Sequence, residues 1–224
     1  MTGFLIAFEG GDASGKTTQA RRISELIGAV FTREPGGTEV GESLRELLLS
    51  HEIPLAFRTE ALLMAASRAQ LVEEVIRPNL QIGRHVVSDR FLASSIVYQG
   101  YATGLPVDEV RGLSIFATNG LLPDLTILID LPVELSIRRR TDMPDRFESE
   151  AIEFHEKVRE GYLSLAESSP ETWAVIDGSG SLDQVSSLVD EAVVTTAAAR
   201  ARGAIRRFGG VPRRLLNGIA PFQL

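Results

Sequence analysis

The run Gly10-Gly11-Asp12-Ala13-Ser14-Gly15-Lys16-Thr17 fits G-x-x-x-x-G-K-[ST] without a mismatch. That spacing suits one chemistry, the holding of a nucleoside triphosphate. Glycines let the backbone curl until successive N–H groups point inward at phosphate oxygens. Lys16 adds a mobile charge for the outer phosphates, and the Thr17 hydroxyl can ligate the Mg²⁺ that travels with them. The bland alternative is a glycine-rich turn that happens to contain lysine. Context disfavours it, because an apolar run precedes the motif and a helical pattern begins at Lys16. The motif specifies a triphosphate and Mg²⁺; it does not specify the recipient.

Further groups that bear on the recipient lie downstream: Thr32-Arg33-Glu34-Pro35-Gly36-Gly37, Arg68, the stretch from Asp89-Arg90 to Gln99, and a basic segment at 138–148. Each has a plain structural explanation. A lone helical arginine such as Arg68 is most often a solvated charge. Asp89-Arg90 could be a local ion pair, Tyr98 could be core, and Arg138 to Arg140 could be a helix end favoured by the dipole. Joint occurrence, in order, behind a complete phosphate loop favours a functional role. Phosphoryl transfer also needs positive charge around the moving group. No residue from Gly10 to Gly15 is an arginine, so the missing charge is expected from Arg139, Arg140 or Arg146.

An alternating framework must position these groups. Short apolar runs at 4–9, 29–32, 85–89, 125–130 and 173–177 read as buried strands. Helical spacing marks 16–27, the stretch around Val40 to Leu48, 59–80, 108–117, 132–140 and 151–168. Ser181-Leu182-Asp183-Gln184 is a capping-box start for a helix running toward Thr195. Continuous apolar strands separated by helices predict an α/β fold with a five-stranded parallel sheet covered by helices on both faces. Such sheets bind ligands at the carboxyl ends of their strands, where Glu9, Arg33, Asp89, Asp130 and Asp177 all fall.

The 224 residues favour one domain, expected over 1–194, followed by a basic extension at 195–224. A hydrophobic share of 44% with 24% charged residues excludes general disorder. Cysteine is absent, which excludes disulfides and thiolate chemistry. No apolar stretch approaches the ~20 residues of a membrane span, and Gly10-Gly11 interrupt any signal core, so a cytoplasmic location is expected. Net charge is −7, yet six arginines and no acid lie in 195–224. The body is therefore acidic, which argues against nucleic-acid binding by it.

At these residues the chain resembles the bacterial thymidylate kinases over 4–192, with Arg33 to Gly37 and Asp89-Arg90 to Tyr98-Gln99 carrying the resemblance. The resemblance implies a three-layer P-loop NTPase fold and transfer of a phosphoryl group from ATP, with Mg²⁺, to dTMP. It places ATP on Gly10, Gly11, Asp12, Ala13, Ser14, Gly15, Lys16, Thr17 and Thr18, with Arg139 and Arg140 from the lid at 138–148. It places Thr17 and Asp89 near the metal. It assigns the dTMP phosphate to Arg68 and Arg90, supported by Arg45, and the thymine edge to Ser95 and Gln99, beside Ser94. Tyr98 presses on the sugar, Asp12 sits near the 3′-hydroxyl, and Arg33, Glu34 and Pro35 shape the acceptor cleft. Lys16, Asp89, Arg90 and Arg146 form the catalytic set, Arg146 being preferred among the lid arginines because Asp145-Arg146 matches a family pair. A homodimer is also implied.

The chain departs from the family pattern at Met64, where relatives usually stack Phe on thymine, and at Phe91 and Val97, which replace Tyr and Ala. Met can cover a ring but orients it less rigidly. Rival functions are another pyrimidine monophosphate kinase for dUMP or UMP, a GTPase-type switch, and a silent P-loop module. The switch is disfavoured because no Asn-Lys-x-Asp motif occurs and Lys16 and Lys157 are the chain's only lysines. The extension is either a loosely packed appendage or a basic segment for an acidic surface, whether a partner, anionic lipid or the chain's own body.

Overall fold

The computed structural model describes residues 3–139 and 146–201. Five strands form one parallel sheet in the order β2-β3-β1-β4-β5. They are β1 (Leu5–Glu9), β2 (Val30–Arg33), β3 (Val86–Asp89), β4 (Leu125–Asp130) and β5 (Trp173–Asp177). The central strand β1 is buried along its whole length, and its alternation builds the layers. Leu5 and Ala7 enter one core with Val86, Leu128, Leu71 and Tyr162. Ile6 and Phe8 enter the other with Val87, Ile127, Ala20, Ile23 and Val189. An apolar residue at every position of such a strand follows from two covered faces.

On the second face lie α1 (Lys16–Leu26) and α9 (Leu182–Ala201), which supply Ala20, Ile23, Val185 and Val189. On the first lie α3 (Phe57–Leu71) and α8 (Ile152–Ser168). Shorter helices complete the order: α2 (Glu39–Leu49), α4 (Arg77–Gln81), α5 (Leu92–Ser95), α6 (Val107–Ala117) and α7 (Val133–Arg139). Ser181 and Gln184 form the expected reciprocal cap of α9, with bonds of 2.8 and 3.3 Å.

Three elements differ from expectation. The long helix begins at Phe57 and passes through a π-helical segment, Val72–Ile76, before α4. Pro78 falls in the first turn of α4. It has no N–H for the carbonyl four residues back, and a wider turn before it accommodates that loss. Residues 92–102 were not anticipated as helical, yet α5 continues into a π-helical segment, Ile96–Ala102. Its β-branched Ile96 and Val97 and its Gly100 give little helical propensity; burial of Ile96 through Gly100 overrides it. Finally, α9 runs beyond Thr195 to Ala201. There Arg200 pairs with Asp124 at 3.0 Å and lies 4.7 Å above the Phe4 ring, so the first basic residue of the extension meets the chain's own acidic body. The other five arginines of the extension, and Arg140 of the lid, lie outside the described residues.

Candidate active site

The turn after β1 wraps a hollow. Gly10 and Gly15 have φ of 144° and 91°, and Ala13 has 54°. A side chain at Gly10 would also press its Cβ to 2.6 Å from the Ile129 carbonyl oxygen, so only glycine fits there. Lys16, the first residue of α1, is buried, donates to the Gly11 carbonyl at 3.1 Å and lies 3.8 Å from Asp12. Burial and the neighbouring Arg90 hold its pKa below the usual lysine range. Thr17 donates to Asp89 Oδ2 at 2.6 Å, while Asp89 Oδ1 is buried with no hydrogen-bond partner. Ser14 Oγ is also buried and unpaired. Thr18 is exposed on the first turn of α1.

Beside this hollow, a cavity of about 260 Å³ opens along the carboxyl ends of β1, β2 and β3. A second hollow, behind the loop, holds only about 20 Å³, so the roomier one is the candidate site. Lys16, Thr17 and Asp89 line it together with every residue predicted for the acceptor: Asp12, Arg33, Glu34, Pro35, Arg45, Met64, Arg68, Arg90, Ser94, Ser95, Tyr98 and Gln99. Arg21, Phe31 and Leu49 also line it without having been singled out, and Phe147 and Glu148 of the lid segment reach it.

Arg90 is the hub. One terminal nitrogen donates to the Gly10 carbonyl, Ser94 Oγ and the Tyr162 hydroxyl at 3.2–3.3 Å. The other pairs with Asp12 and reaches the Tyr98 hydroxyl at 3.2 Å. Its backbone has φ of 68°, a left-handed conformation costing a non-glycine residue ~1–2 kcal/mol. The surroundings over-determine it. Arg90 N–H donates to Phe8, its carbonyl accepts from Ser88, and the next N–H, on Phe91, donates to Glu9 at 2.9 Å. Glu9, fully buried, also accepts from Ser94 Oγ at 2.6 Å and Tyr162 at 2.9 Å. Burial pushes its pKa up against those bonds and the Arg90 charge.

Arg68 is no surface charge; it is 1% exposed. It pairs with Glu34 at 2.7 Å and donates to Ser95 Oγ at 2.9 Å. Burial raises Glu34 to about 7, partly offset by Arg68. The structure therefore ties Arg68 directly to Glu34 and Ser95, the latter expected at the base edge. Arg45 donates to the carbonyl of Pro35, which follows a cis peptide bond. Arg33 pairs with Glu42 at 3.0 Å.

The described lid arginines divide. Arg139 donates to the carbonyls of Gly178 and Ser179 at 2.9 and 3.3 Å. A Cβ on Gly178 would come 3.5 Å from the Ser14 carbonyl oxygen, so this turn packs against the phosphate loop and Arg139 stands on the donor side. Arg146 is not brought to the loop. It pairs with Glu60 at 2.6 Å and donates to Leu48 O at 3.0 Å. Of the strand-end residues, Asp130 is engaged by Arg159 at 2.7 Å and Asp177 accepts from Ser179 N–H, so neither joins the cavity.

Glu60 and Tyr162 escaped sequence reasoning as site residues, and Glu9 was placed at a strand end without a role of its own. An acid directly before the glycine loop was a usable signal for Glu9. Nothing in the sequence joins Tyr162 to Glu9 across 153 residues.

A triphosphate loop and an arginine-lined acceptor cleft sharing one cavity, on a three-layer parallel sheet, define a P-loop kinase acting on a small phosphorylated acceptor. Residues 8–189 match the family model for thymidylate kinase. Thymidylate kinase of Caldanaerobacter subterraneus subsp. tengcongensis is 48% identical over 86% of this chain and 96% of its own length. That of Kosmotoga olearia is 46% identical over 81% and 90%. The crystal structure of thymidylate kinase from Ehrlichia chaffeensis superposes with a TM-score of 0.68 at 31% identity, covering 87% of this chain and 99% of that one. The chain belongs to the thymidylate kinase family and is a nucleotide-binding transferase of dTTP biosynthesis, with ATP as phosphoryl donor.

Proposed function

We infer that this single cleft transfers the γ-phosphoryl group of ATP to the 5′-phosphate of dTMP, giving ADP and dTDP. The observation that carries it is the continuity of the cavity from Lys16 and Thr17, through Arg90, to Ser95 and Gln99. The bond from the γ-phosphorus to the β-phosphate oxygen breaks as a dTMP phosphate oxygen forms its own bond to that phosphorus. The attacking oxygen is already anionic, so the protein's work is positioning and charge stabilisation.

In this reading the loop amides and Lys16 hold the β- and γ-phosphates, and Arg139 stands over the donor side. Arg90 meets the acceptor phosphate. Arg68, tied to Ser95, serves the base end with Gln99, and Tyr98 and Asp12 border the sugar. Arg146 must leave Glu60 to act on the transferring group as the lid cation. The Thr17 hydroxyl and the unpaired Asp89 Oδ1 would hold Mg²⁺. Among the described residues no group of three or more His, Cys, Asp or Glu could hold a metal; a Mg²⁺ carried by nucleotide phosphates needs only one or two protein ligands. When bound, it would supply positive charge to the donor phosphates. No helix of the described residues is long and apolar enough to cross a membrane, and a cytoplasmic location suits substrates too charged to cross one.

Two copies are proposed to pair through α3 and α6, which leave Phe57, Leu62 and Phe116 exposed; a monomeric mass in solution refutes this. The function is tested by ADP release with Mg-ATP against a panel of nucleoside monophosphates. dTMP should turn over best, dUMP more weakly and purine monophosphates hardly at all; equal activity with AMP overturns the assignment.

A further inference from the structure

Gln99 lines the acceptor cavity and is 1% exposed. Its Nε2 donates to Glu60 Oε1 at 2.8 Å, while its Oε1 is buried and accepts no hydrogen bond. Glu60 is itself 1% exposed, and its other oxygen accepts from Arg146 at 2.6 Å. A carboxylate paired with a guanidinium is acceptor-only. It therefore holds the amide one way round, since turning it over would set two oxygens against each other. The edge left for a ligand is one acceptor, Oε1, and the second Nε2 hydrogen.

We propose that Glu60 is a positioning residue for base selection, fixing the Gln99 amide so that it takes an imide base and rejects cytosine. The inference rests on the reading that Gln99 meets the base. Thymine and uracil present N3–H beside the O4 acceptor, which complements an amide oxygen beside an amide N–H. Cytosine presents an N3 lone pair beside an amino group, so both contacts become like against like. A site that reads by buried hydrogen bonds rejects the mismatched analogue strongly, because its own groups are left unpaired. Glu60 stands behind the reader and makes its orientation unambiguous.

The test compares kcat/KM for dTMP and dCMP, by ADP release, in the unaltered enzyme, Glu60→Gln and Gln99→Met. A glutamine at 60 can donate as well as accept, so the Gln99 amide can turn. The dTMP-to-dCMP ratio should fall at least ~10-fold in Glu60→Gln, with KM for dTMP rising more than kcat falls. A merely structural role lowers both substrates together and leaves the ratio unchanged, which overturns the proposal. If Gln99→Met lowers the ratio and Glu60→Gln does not, the role of Glu60 alone is overturned; if Gln99→Met leaves the ratio intact, the base-reading role of Gln99 falls with it. Should Glu60→Gln fail to fold, side-chain amide exchange in the unaltered, ligand-free enzyme decides. One protected and one fast Gln99 proton is expected, and two fast protons overturn the inference.

Discussion

Arg90→Lys separates the acceptor phosphate from the donor phosphates. The two terminal nitrogens of Arg90 offer four hydrogens and make five polar contacts, to Gly10, Ser94, Tyr162, Asp12 and Tyr98. An ammonium has three hydrogens on one nitrogen and cannot reach both groups of partners from one position. At least one contact to a buried acceptor is lost, at ~1.5–3 kcal/mol for a hydrogen bond to a charged group. One such bond lost to the dTMP phosphate itself corresponds to a rise of about 10- to 100-fold in its Kd, because the phosphate then meets a point charge that also has Asp12 to satisfy. ATP should be affected less than about threefold, since its phosphates rest on the loop amides and Lys16. The assay is calorimetric titration of each nucleotide alone, on protein whose fold is verified by circular dichroism. Unchanged dTMP affinity with weakened ATP binding would refute the reasoning and move Arg90 to the donor side.

Two further outcomes follow from the same geometry. Glu34 rises from 4.5 to about 7 by burial, so its contribution to stability is complete below about 4.5 and is lost as pH climbs through 7, a change of up to ~3 kcal/mol. Urea unfolding from pH 5 to 8 should show the balance shifting toward Glu34→Gln by that order, and a pH-independent gap between the two proteins refutes it. Arg146→Ala should lower kcat by more than ~10-fold, because a lid cation acts in the closed state, and should also raise KM for dTMP, because the buried Glu60 that holds Gln99 loses its guanidinium partner. Steady-state kinetics in which KM for dTMP moves and kcat does not would confine Arg146 to its observed place beside Glu60.

The sequence predicts all five strands to within one residue at each end, and the physical reason is simple. Each is a continuous apolar run because both faces of the sheet are covered, and no helix pattern competes. Lys16, Thr17 and the curled loop were equally readable, since a phosphate cradle is built from consecutive residues. The acceptor side was readable only in part. The residues expected there line one cavity, but the partner that decides the position of each was not foreseen. Arg68 was expected at the phosphate; its position is set by Glu34, 34 residues away, and Ser95, 27 residues away. Gln99 was expected at the base, but Glu60, which orients it, lies 39 residues back. Pairings of that range are set by packing, and no local pattern encodes them.

Arg90 shows why a functional site resists local rules most. Its φ of 68° belongs to glycine or asparagine by intrinsic preference, so propensity argues against an arginine there. The strained conformation turns a strand end sharply into α5. Phe8, Glu9 and Ser88 hold the backbone through the turn, and Asp12, Ser94 and Tyr162 hold the side chain. Most of these partners are buried in the sheet core. The stability of β1 and β3 is thus converted into the fixed direction of one guanidinium, and local strain persists where the surrounding structure over-determines it. Glu9 is consequently as much a part of the acceptor site as Arg90, although its carboxylate does not line the cavity.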